Sequence, residues 1–416
     1  MSSFRRAVTR TSAGAALLLG SAACSSDFLK VTNPNVIDAS TVDPASGATA
    51  LALSAQQNFA TAIGWLAMYG AWFTGEANVS DTFPTRNEFG FRTVADLNGS
   101  LNGDVWAPMQ LAAASAKQVL DLTLPNATSN INLARAATFR GFAVLQLATD
   151  FCSATLSSGP ELTTAQLLDT AQAWFTRGIE VGRTNATADG IALANAALVG
   201  RARARLQKGD NAGAATDAAA VPAGFEFNLR YTDDQANRTR LSNRLWQFSF
   251  DRGSISVAPW YRQNDPRVPF RLPAQATAQG QDAVPGGFHQ QTKFPTYASP
   301  IRLASKLEAD YIAAEAGSTD AQLALIAARR AAVGLAAYAG ATDAASVRTE
   351  LFNQRAMEFY LEGRRLADFR RAPTAVVSIT PAGAPYFKPG YPNTGTQTCY
   401  PIPRAERDNN PNMKTN

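Results

Sequence analysis

Alanine-rich segments at 47–74, 104–121, 131–151, 163–183 and 189–221 constrain this chain more than any other feature. Alanine enters a helix without losing side-chain entropy, and apolar residues in these segments recur at spacings of three and four, the helical period. In IALANAALVGRARARLQKGDNAGAATDAAAVP, Ile191, Ala194, Leu198 and Ala202 fall on one helical face. Gly209 suits the left-handed position after a helix, and Asp210 or Asn211 can cap the next one. This pattern predicts a helical hairpin. Small contact residues let paired helices approach closely, so successive hairpins are expected to stack into a tetratricopeptide-like α-solenoid. The expected fold class is mainly α.

Between about Phe225 and Pro300 the pattern changes. FEFNLRY and LWQFSF alternate as short strands do, and the rest is rich in Pro, Gly, Gln and aromatic residues. Irregular stretches longer than about 15 residues usually carry function or are disordered, so this region is a candidate to carry function. Helices are expected again at 302–317, 319–334 and 344–371, before a tail rich in Pro and Gly. In LFNQRAMEFYLEGRRLADFRR, Phe352, Ala356, Phe359, Gly363 and Leu366 form one stripe. The charges then lie mostly off the packing face, with Glu362 near Arg365 and Arg364 near Asp368 as surface pairs worth a few tenths of a kcal/mol, about the usual helix-surface value.

The N-terminus reads as an export signal over residues 1–23: Arg5, Arg6 and Arg10, an apolar run from Ala13 to Leu19, then Ser21, Ala22 and Ala23. The run is about half of the ~20 residues needed to span a bilayer. Cys24 directly follows the small residues, as in a lipobox, where cleavage leaves the cysteine first and its sulfur carries a diacylglycerol. Ser21 stands where such boxes usually have Leu, and cleavage elsewhere would leave Cys24 free. Residues 24–45, CSSDFLKVTNPNVIDASTVDPA, read as an extended tether.

The three leader arginines account for three of the five formal positive charges, so the charge balance makes no case for a nucleic-acid partner. A hydrophobic content of 46% supports a large core. Cys152 and Cys399 are the other two cysteines, and their pairing is open at this level. His289 is the single histidine. Zinc sites built on histidine clusters, and any Ser-His-Asp or Cys-His relay not centred on it, are therefore excluded. No metal or cofactor site is expected.

The run NQRAMEFYLEGRRLADFRR resembles the late helix of the SusD/RagB family of outer-membrane nutrient-binding lipoproteins. Its pattern is met by Arg355, Glu358, Glu362, Gly363, Arg365 and Asp368, with Arg371 one place displaced. AATFRGFAVLQLATDFC resembles the family's early Arg-Ala-Phe helix, Asp265-Pro266-Arg267 its Asp-x-Arg turn, and SPIRLASKLEADYIAAEA its Arg-Leu-Glu helix. CYPIPRAERDNNPN resembles its ending. Ser305 and Lys306 interrupt the usual acidic position before Leu307, and Gln354 stands where Glu is common. The resemblance runs from Cys24 to Asn412. It implies one α-rich domain over 46–416 (helical part 46–221, loop-rich ligand-binding part 222–300, C-terminal helices and tail 301–416), anchored through Cys24 to the outer membrane. It also implies an oligosaccharide or polymer-fragment ligand and, as partner, a SusC-like TonB-dependent transporter.

A sugar offers flat apolar faces edged with hydroxyls, so its site needs an exposed aromatic platform beside polar groups. Two loops qualify: Phe83, Arg86, Asn87, Phe89, Phe91 and Trp106 in one, and Trp260, Tyr261, Arg262, Gln263 and Asn264 in the other. Trp260 and Tyr261 follow Pro259 and precede polar residues, which makes them the preferred platform. Phe288, His289 and Tyr297 lie in the same irregular region, with His289 expected as a loop hydrogen-bonder. Trp106 leads into a helix, and Trp65, Trp72, Trp174 and Trp246 sit in periodic segments, so these are expected in the core. Two other classes remain open. Glu76 and Asp81 could serve glycoside hydrolysis if they faced each other at ~5–9.5 Å, and a helical-repeat scaffold could bind protein alone.

Overall fold

The computed structural model describes residues 44–413. The leader, Cys24 and the tether as far as Asp43 lie outside the described residues, and Pro44 and Ala45 open the first helix. The helical part contains α1 (Pro44–Phe73), α2 (Pro84–Gly90), α3 (Ala107–Leu120), α4 (Ile131–Asp150), α5 (Thr164–Asn185), α6 (Ala188–Lys208) and α7 (Asn211–Ala219). A π turn, Leu101–Trp106, leads into α3. The chain is mainly helical, with tetratricopeptide-like packing of consecutive helices: α1 on α3, α3 on α4, α4 on α5, α5 on α6, and α6 on α7.

Local chemistry sets these boundaries. Thr163 and Gln166 form a capping box at the start of α5. Gly209 ends α6 at φ +87°, and the Asp210 side chain accepts the Gly213 N–H to open α7. Ala194, Leu198 and Ala202 are buried as the spacing predicts, whereas Ile191, in the first turn of α6, is 41% exposed. Close approach is explicit at Phe175. Its ring lies between α4 and α6, where a Cβ on Gly141 would stand 2.7 Å, and one on Gly200 2.4 Å, from ring carbons. The ring also meets Phe142 edge-on at 4.9 Å.

Among the described residues there are eight short strands: β1 (Ala77–Val79), β2 (Ser153–Ala154), β3 (Leu162–Thr163), β4 (Glu226–Leu229), β5 (Ile255–Val257), β6 (Phe270–Arg271), β7 (Gln290–Gln291) and β8 (Ile301–Ser305). They form a sheet ordered β1-β5-β7-β6 and two antiparallel pairs, β2-β3 and β4-β8. The helix expected from residue 302 therefore starts later. Residues 301–305 extend as β8 against β4, and Ser305 caps α8 (Lys306–Ala316). LWQFSF is not a strand. It forms a turn, Arg244–Trp246, running into a π turn, Gln247–Asp251.

The helix expected over 344–371 is broken. After α9 (Thr319–Ala332), α10 (Ala344–Glu358) stops, and Leu361 (φ +57°) and Gly363 (φ +69°) turn the chain before α11 (Arg365–Arg371). The expected stripe is buried, but so are the charges: Arg355, Glu358, Glu362, Arg364, Arg365 and Asp368 are each under 9% exposed. Most of their partners are distant in sequence, Arg371 with Asp368 being a helix-neighbour pair. Glu308 takes two hydrogen bonds of 2.8 Å from Arg203 and also pairs with Arg364. Arg355 and Arg371 meet Asp368, Arg371 meets Glu315, and Lys293 and Arg302 meet Glu362. The Asp265-Pro266-Arg267 turn joins this set, since Arg267 bonds Asp265, Gln354 and Glu358.

Cys152 and Cys399, left open by sequence, form a disulfide across a separation of 247 residues. Backbone bonds on either side hold the same register, from Cys152 N–H to the Tyr400 carbonyl at 2.9 Å and from Tyr400 N–H to the Asp150 carbonyl at 2.8 Å. A final short helix, α12 (Arg404–Asn409), lies in the tail. Among the described residues no helix is long and apolar enough to cross a membrane.

Two predictions follow the burial of charge. Removing one partner of a buried ion pair strands the other, so Glu308→Gln should lower unfolding free energy by about 3–5 kcal/mol, read as a reduced urea midpoint; an unchanged midpoint would refute the central role of Glu308. The guanidinium groups hold the Glu308 carboxyl well below the usual range despite its burial, so its contribution is present at neutral pH and fades on acidification. Glu76 behaves oppositely. Burial pushes its carboxyl up to about 7, so the unfolded chain releases this proton first and stability falls as pH rises from about 4.5 to about 7. Asp150 is pushed up to about 7 by the same cause and adds to the trend. Glu76→Gln should therefore lose less stability than the wild type between pH 5 and 7.5 in urea titrations; equal losses would contradict this account.

Candidate ligand-binding surface

The aromatic surface of the protein is built on the π turn at 247–251. Asn243 positions it: its side-chain oxygen accepts the Trp246 N–H at 3.2 Å, its amide donates to the Ser299 carbonyl at 2.8 Å, and its backbone N–H donates to the Tyr297 carbonyl at 2.8 Å. The loop at 296–299 is thereby clamped beside the turn. Trp246 and Phe250 stack at 5.4 Å with rings 9° apart, and Tyr297 packs on Trp246 at 3.7 Å. All three are half-buried, so each keeps an accessible part. The Tyr297 hydroxyl donates to Asp251, a bond that raises its pKa above the ordinary tyrosine value. The Arg238 guanidinium lies 5.0 Å from the Tyr297 ring, and that of Arg271 lies 5.9 Å from Phe250.

Phe248, on the same turn, points into the protein and is 1% exposed. It meets Trp65 edge-on at 5.4 Å, with Arg86 and Arg252 at 5.0 and 4.9 Å from its ring. Arg86 also covers Phe83 at 4.6 Å, and Phe83 is 55% exposed. Asp81, wholly buried, fixes that arrangement by pairing with Arg86 and accepting the Phe83 N–H at 2.9 Å. Both flanks of the turn thus combine aromatic rings with guanidinium donors, the pairing that a sugar ring with its hydroxyl edge requires.

The two expected loops fare differently. From the first, Phe83 is exposed, and Arg86 lies between it and the inward-facing Phe248 of the turn. Asn87 is buried, its amide donating to the Asp81 and Phe83 carbonyls and its oxygen accepting from the Tyr386 hydroxyl. Phe89 is wholly buried between Tyr69 and Tyr400, and Phe91 and Trp106 are also buried. In the second loop, Tyr261 cannot form a platform. It is fully buried against Tyr360 at 5.0 Å and Trp260 at 4.8 Å, in a pocket assembled from distant segments. Arg262 commits its donors to the Val257 and Pro285 carbonyls. Gln263 and Asn264 are exposed, and half-buried Trp260 walls a separate polar cleft of about 300 Å³ with Gln263, Arg330 and Asn353. Phe288 and His289 are mostly buried, His289 Nδ1 lying 2.9 Å from the Gly287 carbonyl.

Trp72 lies in the core, while Trp65, Trp174 and Trp246 are only half-buried. Trp246 and Phe250 are the residues that sequence reasoning missed. Their i, i+4 spacing between Arg244 and Arg252 was the available signal, hidden by the strand-like alternation. Glu76 and Asp81 do not form an open carboxylate pair. Both are buried, and Glu76 accepts the Leu361 N–H at 2.9 Å, while Asp81 serves Arg86 and Phe83.

Residues 308–416 match the SusD family. No curated protein sequence matches the chain. Among solved structures, a SusD superfamily protein from Parabacteroides distasonis aligns with a TM-score of 0.66 and 16% identity, over 90% of this chain and 99% of that one. A laminarin-binding SusD-like protein aligns at 0.65 and 15%, over 87% and 96%. A SusD-like carbohydrate-binding protein from Bacteroides fragilis aligns at 0.61 and 15%, over 83% and 92%. Residues 308–416 thus match the SusD family in sequence, and the described chain has the fold of the solved SusD-like structures.

Proposed function

We propose that the protein is a surface glycan-binding lipoprotein, not a hydrolase, that captures oligosaccharides on the Trp246–Phe250–Tyr297 surface and passes them to a SusC-like TonB-dependent transporter in the outer membrane. The observation that carries this reading is the set of half-buried rings held rigid by Asn243 and edged by Arg238, Arg271 and Asp251. Pre-positioned rings lose little freedom when a sugar stacks on them. The SusD-family match of residues 308–416 and the fold shared with laminarin-binding and carbohydrate-binding SusD-like proteins support the ligand class. The disulfide suits an exported chain, and Cys24 is the proposed site of lipid attachment.

A glycan array on the mature protein identifies the ligand, and titration calorimetry then measures it. Replacing Trp246 and Tyr297 together by Ala should weaken binding by about 1–3 kcal/mol, as loss of central aromatic anchors does, while Trp260→Ala leaves it unchanged. The reverse result would move the site to the Trp260 cleft. Absence of any glycan ligand would favour a scaffold that binds protein alone. The anchor is tested separately: Cys24→Ala should move the protein from the membrane fraction to the soluble fraction, and a variant that stays membrane-bound would remove Cys24 from the proposal.

A further inference from the structure

A cavity lies against both ends of the segment that carries Phe83 and Arg86, lined by Asn78, Val79, Gly90 and Arg92. Arg92 follows α2 in the left-handed region, at φ +52°, and is 4% exposed. One of its terminal nitrogens donates to the Thr380 carbonyl at 2.7 Å, but its Nε has no hydrogen-bond partner, and no carboxylate pairs with it among the described residues. Arg203, Arg355, Arg364 and Arg371 of the buried network each pair with an acid. Arg92 instead lines a cavity of about 180 Å³ that contains no acidic side chain. Trp72 and Asn78 line the same cavity, and Trp72 Nε1 and Asn78 Nδ2 are likewise buried donors without partners.

The imbalance is one-sided: three unmatched N–H donors, one of them on a cation, and no anion. A buried charge without a counter-charge is costly, and buried polar groups normally find partners. Bound water could satisfy single N–H groups but not the charge. Phe73, Tyr386 and Phe387 supply flat aromatic walls beside Thr380 and Thr394, and the exposed residues Pro259 and Pro385 mark an opening. A cavity of about 150 Å³ accommodates a benzene ring. We infer that this cavity binds a small carboxylate carried on a single six-membered ring, with Arg92 taking the carboxylate and Trp72 and Asn78 supplying further N–H donors. A sugar acid and an aromatic acid share this chemistry. The inference stands apart from the glycan surface, because neither Arg92 nor Trp72 contributes to it.

The test titrates the whole protein with sodium glucuronate and sodium benzoate, and with glucose and benzyl alcohol as uncharged counterparts, at constant ionic strength, following calorimetry and the thermal midpoint. At least one acid should bind and its uncharged counterpart should not; which acid binds identifies the source. Arg92→Gln should weaken that acid about 10- to 100-fold, the range for a hydrogen bond to a charged group, with oligosaccharide affinity unchanged. Trp72→Phe keeps a ring and removes one donor, and should weaken the acid about 3- to 10-fold. Should Arg92→Gln fail to fold, the contrast between acid and uncharged counterpart, together with Trp72→Phe, decides the question. The inference is overturned if neither acid binds, if the uncharged compounds bind equally well, or if the folded variants bind the acid as the wild type does.

Discussion

Glu308 is a carboxylate with no contact with water, and its burial is possible only because guanidinium groups from three separate stretches of chain converge on it. Arg203 comes from α6, Arg355 from α10 and Arg364 from the turn before α11. The helical part and the C-terminal part therefore meet at a point where either alone would leave charge stranded. The same constraint spreads outward. Arg355 shares Asp368 with Arg371, and Arg371 reaches Glu315 on α8, itself paired with Arg348. Buried ion networks add little net stability compared with apolar packing, yet any single omission is expensive. Their effect here is positional: they fix where α8, α10 and α11 dock.

This also explains what could and could not be read from the sequence. The helices of 44–219 were legible because their signals are local: small residues at helical spacing, Gly209 ending α6, Asp210 opening α7. The break after Glu358 was not legible, since the apolar stripe runs on through Phe359, Gly363 and Leu366 without interruption. Only the distant partners of Glu362 and Arg364, namely Lys293, Arg302 and Glu308, require the chain to turn there. Tyr261 misled for a similar reason. Its polar neighbours suggest a surface loop, but Tyr360, a hundred residues away, closes over it. The alternation of LWQFSF suits a strand, and a π turn realises the same alternation by sending Phe248 inward while Trp246 and Phe250 remain partly accessible.

The candidate ligand surface and the Arg92 cavity share a single stretch of chain, from Asn78 to Arg92. Asn87 joins them, holding the Phe83 backbone on one side and receiving the hydroxyl of Tyr386, a wall of the cavity, on the other. Lys388 adds a second tie from the tail, donating to the Asp81 carbonyl at 2.6 Å while pairing with Asp282. A side chain that the sequence offers as a sugar contact thus serves as a strut between two sites.

The Cys152–Cys399 bond makes residues 152–399 a covalent ring, with the chain before Cys152 and the residues after Cys399 outside it. The connection between α9 and α10, residues 333–343, is mostly exposed and lies within that ring. Exposed connections are where proteases first cut. A single cut there opens the ring without dividing the molecule, so the two fragments stay tethered and the buried ion pairs between them keep an intramolecular effective concentration. Under oxidising conditions the nicked protein would migrate as one chain, and only reduction would reveal two.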